Sequence, residues 1–66
     1  MATRVELGVT TKGVRVKGKV LPTNTAVSIL QTSKEYCTVT VIYGEFEGMV
    51  FKMKVRSAER CIQTYL

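Results

Sequence analysis

Residues 36–55 read YCTVTVIYGEFEGMVFKMKV, two runs of period two on either side of a glycine-flanked polar segment. In the first run Cys37, Val39, Val41 and Tyr43 share one side while Tyr36, Thr38, Thr40 and Ile42 share the other, the alternation of a half-buried strand. Gly44 and Gly48 bracket Glu45, Phe46 and Glu47 and permit the positive backbone dihedrals of a tight turn, so the segment reads as a hairpin. The second run places Met49, Phe51, Met53 and Val55 inward and Val50, Lys52, Lys54 and Arg56 outward.

The pattern continues on both sides. Residues 3–9 alternate, with Val5, Leu7 and Val9 on the expected core side and Arg4, Glu6 and Gly8 opposite. After a turn at residues 10–13, residues 13–20 read as one strand with Val14, Val16 and Val20 inward. Gly18 then marks a bulge or a close backbone approach. Residues 21–25 hold the chain's one proline, Pro22, beside Asn24 and form a loop. A further strand covers residues 26–31, with Val27 and Ile29 competing with Leu30 for the core side, and residues 32–35 make a polar turn. Residues 57–60 read as one short helical turn capped by Ser57. Residues 61–66 either end that helix or form a last strand.

Five or six short strands with turns every 8 to 12 residues give an all-β fold, a small barrel occupying residues 1–66 as a single domain. Closure is expected because an open sheet of this size leaves unpaired edges and a bare apolar face. The abundance of valine and threonine agrees, since β-branched side chains suit a pleated surface.

From residue 26 to residue 63 the order of elements resembles an SH3-like barrel of the bacterial type. The likeness rests on the strand at 26–30, the strand ending in Tyr43, the run Gly44-Glu45-Phe46-Glu47-Gly48-Met49-Val50, and then Ser57 to Arg60 followed by Cys61-Ile62. The family's fold is what the resemblance implies. Its aromatic counterpart to Met49 and its Asn-x-Arg-x-Gly-Pro opening are absent, and the chain has no Trp for a polyproline platform. Translation-factor SH3-like domains and the OB-fold are alternative barrels.

Catalysis is not expected. Histidine and aspartate do not occur, and the acids are Glu6, Glu35, Glu45, Glu47 and Glu59. General acid–base chemistry near neutral pH draws on His or on paired carboxylates, and a hairpin tip is the ordinary home of Glu45 and Glu47. Cys37 and Cys61 lack a histidine to activate them and cannot complete a four-ligand zinc site within one chain. No metal or other cofactor is therefore expected. Two cysteines and no apolar run of membrane-spanning length point to a cytoplasmic protein with no membrane partner.

Ten Lys and Arg against five Glu give a net charge of +5. Two basic sets stand out: Arg15, Lys17 and Lys19 on one strand, and Lys52, Lys54 and Arg56 on another. Spacing of i, i+2 sets successive charges about 6 to 7 Å apart, close to the phosphate repeat of an extended nucleic-acid strand. Tyr36 and Phe46 are the aromatic side chains placed to join such a contact by stacking. Alternating Lys and Arg are also what any solvent-facing strand shows, and edge lysines deter aggregation. The sign argues the other way, because neither set contains a glutamate.

Two functions follow. One is sequence-nonspecific binding of DNA or RNA through phosphate. The other is a protein-interaction module, an adaptor, inhibitor or assembly subunit, using a sheet edge or an exposed Tyr, Phe or Ile patch. Self-association to a homo-oligomer accords with so short a chain.

Overall fold

The structure is a computed structural model and describes residues 5–65. Seven strands and one helix follow in the order β1 (Val5–Thr10), β2 (Val14–Val16), β3 (Lys19–Leu21), β4 (Ala26–Gln31), β5 (Tyr36–Val41), β6 (Val50–Lys54), α1 (Val55–Cys61) and β7 (Ile62–Thr64). Four pairings join five strands into one antiparallel sheet of order β6-β5-β4-β1-β7, while β2 and β3 form a separate two-stranded sheet. Residues 3 and 4 of the expected first strand, and Leu66, lie outside the described residues.

The central pairing is the one the alternation implies. Val39 sits opposite Phe51 and Cys37 opposite Met53, and on the other side Ile29 faces Val39 and Val27 faces Val41. Val27, Val39, Val41 and Cys37 are all buried, and Met49, Met53 and Ile29 pack against them half-buried. Fully burying one such aliphatic side chain contributes about 1.5–3 kcal/mol, so this block of β4, β5 and β6 carries much of the core. Tyr43, expected on the inner side, falls beyond the end of β5 and is 75% exposed. The turn at 44–48 takes the positive φ its glycines allow, 109° at Gly44 and 93° at Gly48.

Residues 13–20 depart from the expected single strand. Lys17 and Gly18 both have positive φ, 50° and 80°, and Val16 pairs with Lys19 across them. That is a two-residue hairpin loop, whose twist matches the flanking strands only when both central residues sit at positive φ. The reversal swaps the inward set. Val20 lies opposite Arg15 and is 54% exposed, whereas Leu21 lies opposite Val14 and is fully buried.

β1 is turned over relative to the expectation from its alternation. Val5 and Leu7 are exposed, and Glu6, Gly8 and Thr10 face inward. The reason lies at Gly8, because a Cβ there would stand 2.8 Å from Ile62 Cγ2 and 2.9 Å from the Gln63 carbonyl oxygen. Only a glycine lets β7 approach β1 this closely. Thr10 supplies the other reason: its Oγ1 donates to the Pro22 carbonyl at 2.7 Å and accepts the Thr25 N–H at 2.9 Å. Thr25 Oγ1 donates to the same Pro22 carbonyl at 2.7 Å, so three residues tie the base of the β2–β3 hairpin to the main sheet.

The helix starts at Val55, two residues before the expected cap. Its N-cap is Lys54, with no side-chain cap bond, and the Val55 N–H donates instead to the Glu35 carbonyl at 2.8 Å. Ala58 is its buried residue. The chain then passes into β7, so the last residues pair with β1 as a strand. Tyr65, which follows β7, is 56% exposed.

Strands β2 and β6 are not paired, so among the described residues the two sheets do not close into a barrel. The structure is mostly β, with antiparallel sheets and one short helix.

Candidate functional site

Where the barrel would close, the structure has a groove of about 270 Å³ lined by Val14, Arg15, Val16, Lys17, Phe51, Lys52 and Met53. Its two walls are strand edges. The Val41 N–H donates to the Met49 carbonyl at 2.9 Å, which fixes the alternation of the β5–β6 ladder and turns the backbone groups of Val50, Lys52 and Lys54 away from β5. On the other wall the two-residue loop makes Val16 and Lys19 a hydrogen-bonding pair, and the same alternation turns the N–H and C=O of Arg15 away from β3. Two free edges thus border one groove.

The floor is apolar, from Val14, Val16, Phe51 and Met53, and the charged members of the lining are Arg15, Lys17 and Lys52. No carboxylate is among them. Two stretches more than thirty residues apart in sequence meet here, which no local pattern announces. The meeting follows from β2 folding back on β3 and from β6 being the outer strand of the main sheet.

The remaining basic residues are placed differently. Lys54 shares the outward face of β6 with Lys52 but does not line the groove. Lys19, beyond the hairpin turn, carries its Nζ over the Phe46 ring at 6.0 Å from the centroid, at the outer limit of a cation–π contact. Arg56 lies in the first turn of α1, so the run Lys52, Lys54, Arg56 bends at the strand–helix junction and is not one straight row.

Of the two aromatic residues singled out from the sequence, Tyr36 is exposed and Phe46 is half-buried against the core. Lys52 Nζ stands 5.7 Å from the Tyr36 ring centroid, joining the groove to the sheet's outer face. On that face, across β1, β4, β5 and β6, the outward positions are Val5, Leu7, Val9, Ala26, Ser28, Leu30, Tyr36, Thr38, Thr40, Val50, Lys52 and Lys54. Among the described residues the two lysines are its charges, and both stand on the strand that borders the groove.

Both cysteines are free. Burial pushes the Cys37 thiol above its ordinary value, so it is a poor nucleophile at neutral pH. Among the described residues no group of three or more His, Cys, Asp or Glu is arranged to hold a metal ion. No helix of the described residues is long and apolar enough to cross a membrane.

Compared with protein-family models, with curated proteins and with solved structures, the chain matches none. Its groove has to be read from its own chemistry.

Proposed function

We propose that this chain is a non-catalytic, nucleic-acid-associated binding protein that meets phosphate with Arg15, Lys17 and Lys52, and with Lys54 along the adjoining face. One observation carries the reading: three cations from two separate stretches line one groove that contains no carboxylate. Phosphates in a polyanion release condensed counterions when such groups neutralise them, which gives affinity with little base specificity. The apolar floor and the exposed Tyr36 ring suit unstacked bases better than a paired helix, whose bases are hidden. The topology supports an SH3-like reading of the fold, with a helical turn before a last strand that returns to pair with the first.

A second reading has its own observation. The free backbone groups of Arg15 and Lys52 are those an extended peptide uses when it adds a strand to a sheet edge, and an acidic peptide would suit the same cations. Fluorescence anisotropy with labelled single-stranded and double-stranded DNA and RNA, at low and moderate salt, separates the two. Nucleic-acid binding is expected at low salt, stronger for single strands, and weakened by Arg15→Glu with Lys52→Glu. Absence of binding at low salt, or indifference to those substitutions, overturns the first reading. Direct binding of a labelled acidic peptide, with no nucleic-acid binding, would support the second.

A further inference from the structure

A second cavity, of about 530 Å³, opens between α1, β7 and the inward face of β1, β4 and β5. Its size falls within the range that takes small molecules. Ile29, Val55, Ala58 and Ile62 supply apolar walls, and Glu6 and Glu59 supply carboxylates. Gln31 and Gln63 add carboxamides at the same opening. Among the described residues no Lys or Arg lines it, although the chain carries ten of them.

Glu6 is the unexpected member. It lies on the inward side of β1, directly across from Ile29 in the strand register, where alternation in a half-buried strand calls for an apolar residue. A carboxylate facing inward must keep water or gain an opposite charge, since an unpaired ion in an apolar setting is costly. None of the side-chain hydrogen bonds among the described residues uses Glu6 or Glu59. Two carboxylates are too few to replace the hydration shell of a divalent ion, which takes six or more oxygens. They suffice for one ammonium or guanidinium group, while the apolar walls accept its hydrocarbon.

We infer that this cavity is a binding site for a small organic cation, an alkyl or arylalkyl amine whose charged end meets Glu6 and Glu59 and whose carbon body lies on Ile29, Val55, Ala58 and Ile62. The site is separate from the basic groove and opposite to it in charge. An anionic polymer and a small cation therefore have no reason to compete.

The test uses one carbon skeleton in three charge states: phenethylamine, the neutral phenethyl alcohol and the anion phenylacetate, each titrated into the full chain and followed by amide chemical shifts. The amine is expected to move the amides of Gln31, Cys37, Ala58, Glu59 and Ile62, the alcohol to bind at least about ten-fold more weakly, and the acid not to bind. Glu6→Gln with Glu59→Gln should lower the amine's affinity by about ten-fold or more, the scale of one lost charge-assisted bond. Because Arg4 lies outside the described residues, the same titration is made on Arg4→Ala. Equal binding of amine and alcohol overturns the proposal, and so does an absence of shifts at those amides in both the wild-type chain and Arg4→Ala. The charge series needs no variant of the two glutamates, so it stands even where their double substitution perturbs folding.

Discussion

Replacing Gly8 by alanine adds one methyl group at the closest approach of two strands. The new Cβ would lie 2.8 Å from Ile62 Cγ2, 2.9 Å from the Gln63 carbonyl oxygen and 3.3 Å from Thr64 Cα. A side-chain methyl can rotate away, but two of these three atoms are backbone and move only if β7 moves. Gly8 pairs with Thr64, Val9 with Gln63 and Thr10 with Ile62, so lifting β7 loosens its whole short ladder and begins to uncover buried Ile62. Overpacking of this kind costs about 1–3 kcal/mol. Against it stands the smaller conformational freedom of alanine in the unfolded chain, worth about 0.4–1 kcal/mol where the native backbone tolerates it. The midpoints of these two ranges leave about 1.3 kcal/mol of destabilisation, and in a domain of this size that lowers Tm by roughly 5–10 °C. Thermal unfolding followed by far-UV circular dichroism measures it directly. An unchanged or raised Tm for Gly8→Ala would refute the account of why β1 turns its glycine inward.

Thr10→Val keeps shape but deletes a hydroxyl that donates to Pro22 and accepts from Thr25, leaving a buried N–H without its partner. Urea unfolding should show a loss of about 1–3 kcal/mol; a neutral result would mean the hairpin base is held by other contacts. Cys37 gives a pH effect of fixed sign. Its folded-state pKa lies above the ordinary 9.0, so the stability it contributes is fully present below that value and is lost as pH rises through the raised one. The wild-type chain should therefore lose more stability than Cys37→Ala between neutral pH and pH 10, and parallel profiles would contradict the burial argument. At pH 8, iodoacetamide should alkylate half-buried Cys61 before Cys37, as read by peptide mass spectrometry.

Alternation made β5, β6 and the turn between them legible, because Cys37, Val39, Val41 and Phe51 are both apolar and inward. It misled at β1, where the apolar side of the alternation, Val5, Leu7 and Val9, is not the side that packs inward. Close approach by β7 and the hydrogen bonds of Thr10 outweigh that preference, and neither can be seen until the last strand is placed. The β2–β3 hairpin left one signal, a lysine and glycine between alternating valines, and reading Gly18 as a bulge hid it. Once the chain reverses there, Lys19 lands on the side of Phe46 and Leu21 replaces Val20 in the core. The groove itself was not legible. It depends on Arg15 and Lys52, far apart in sequence, lining one groove from two sheets, and Glu6 entered its cavity only because β1 is turned over.

The missing ladder between β2 and β6 has a mechanical consequence. In a closed barrel, prising two neighbouring strands apart ruptures a row of hydrogen bonds together. Here the β2–β3 arm is anchored at its base by Thr10, Pro22 and Thr25, while its free tip at Lys17 and Gly18 reaches towards β6 with no ladder to break. Separating the walls forfeits the packing of Val14, Val16, Phe51 and Met53 and the approach of Lys19 to Phe46, interactions that weaken gradually with distance. The arm is thus fastened in two different ways, by hydrogen bonds at its base and by side-chain packing along the groove, with no strand ladder between the two walls.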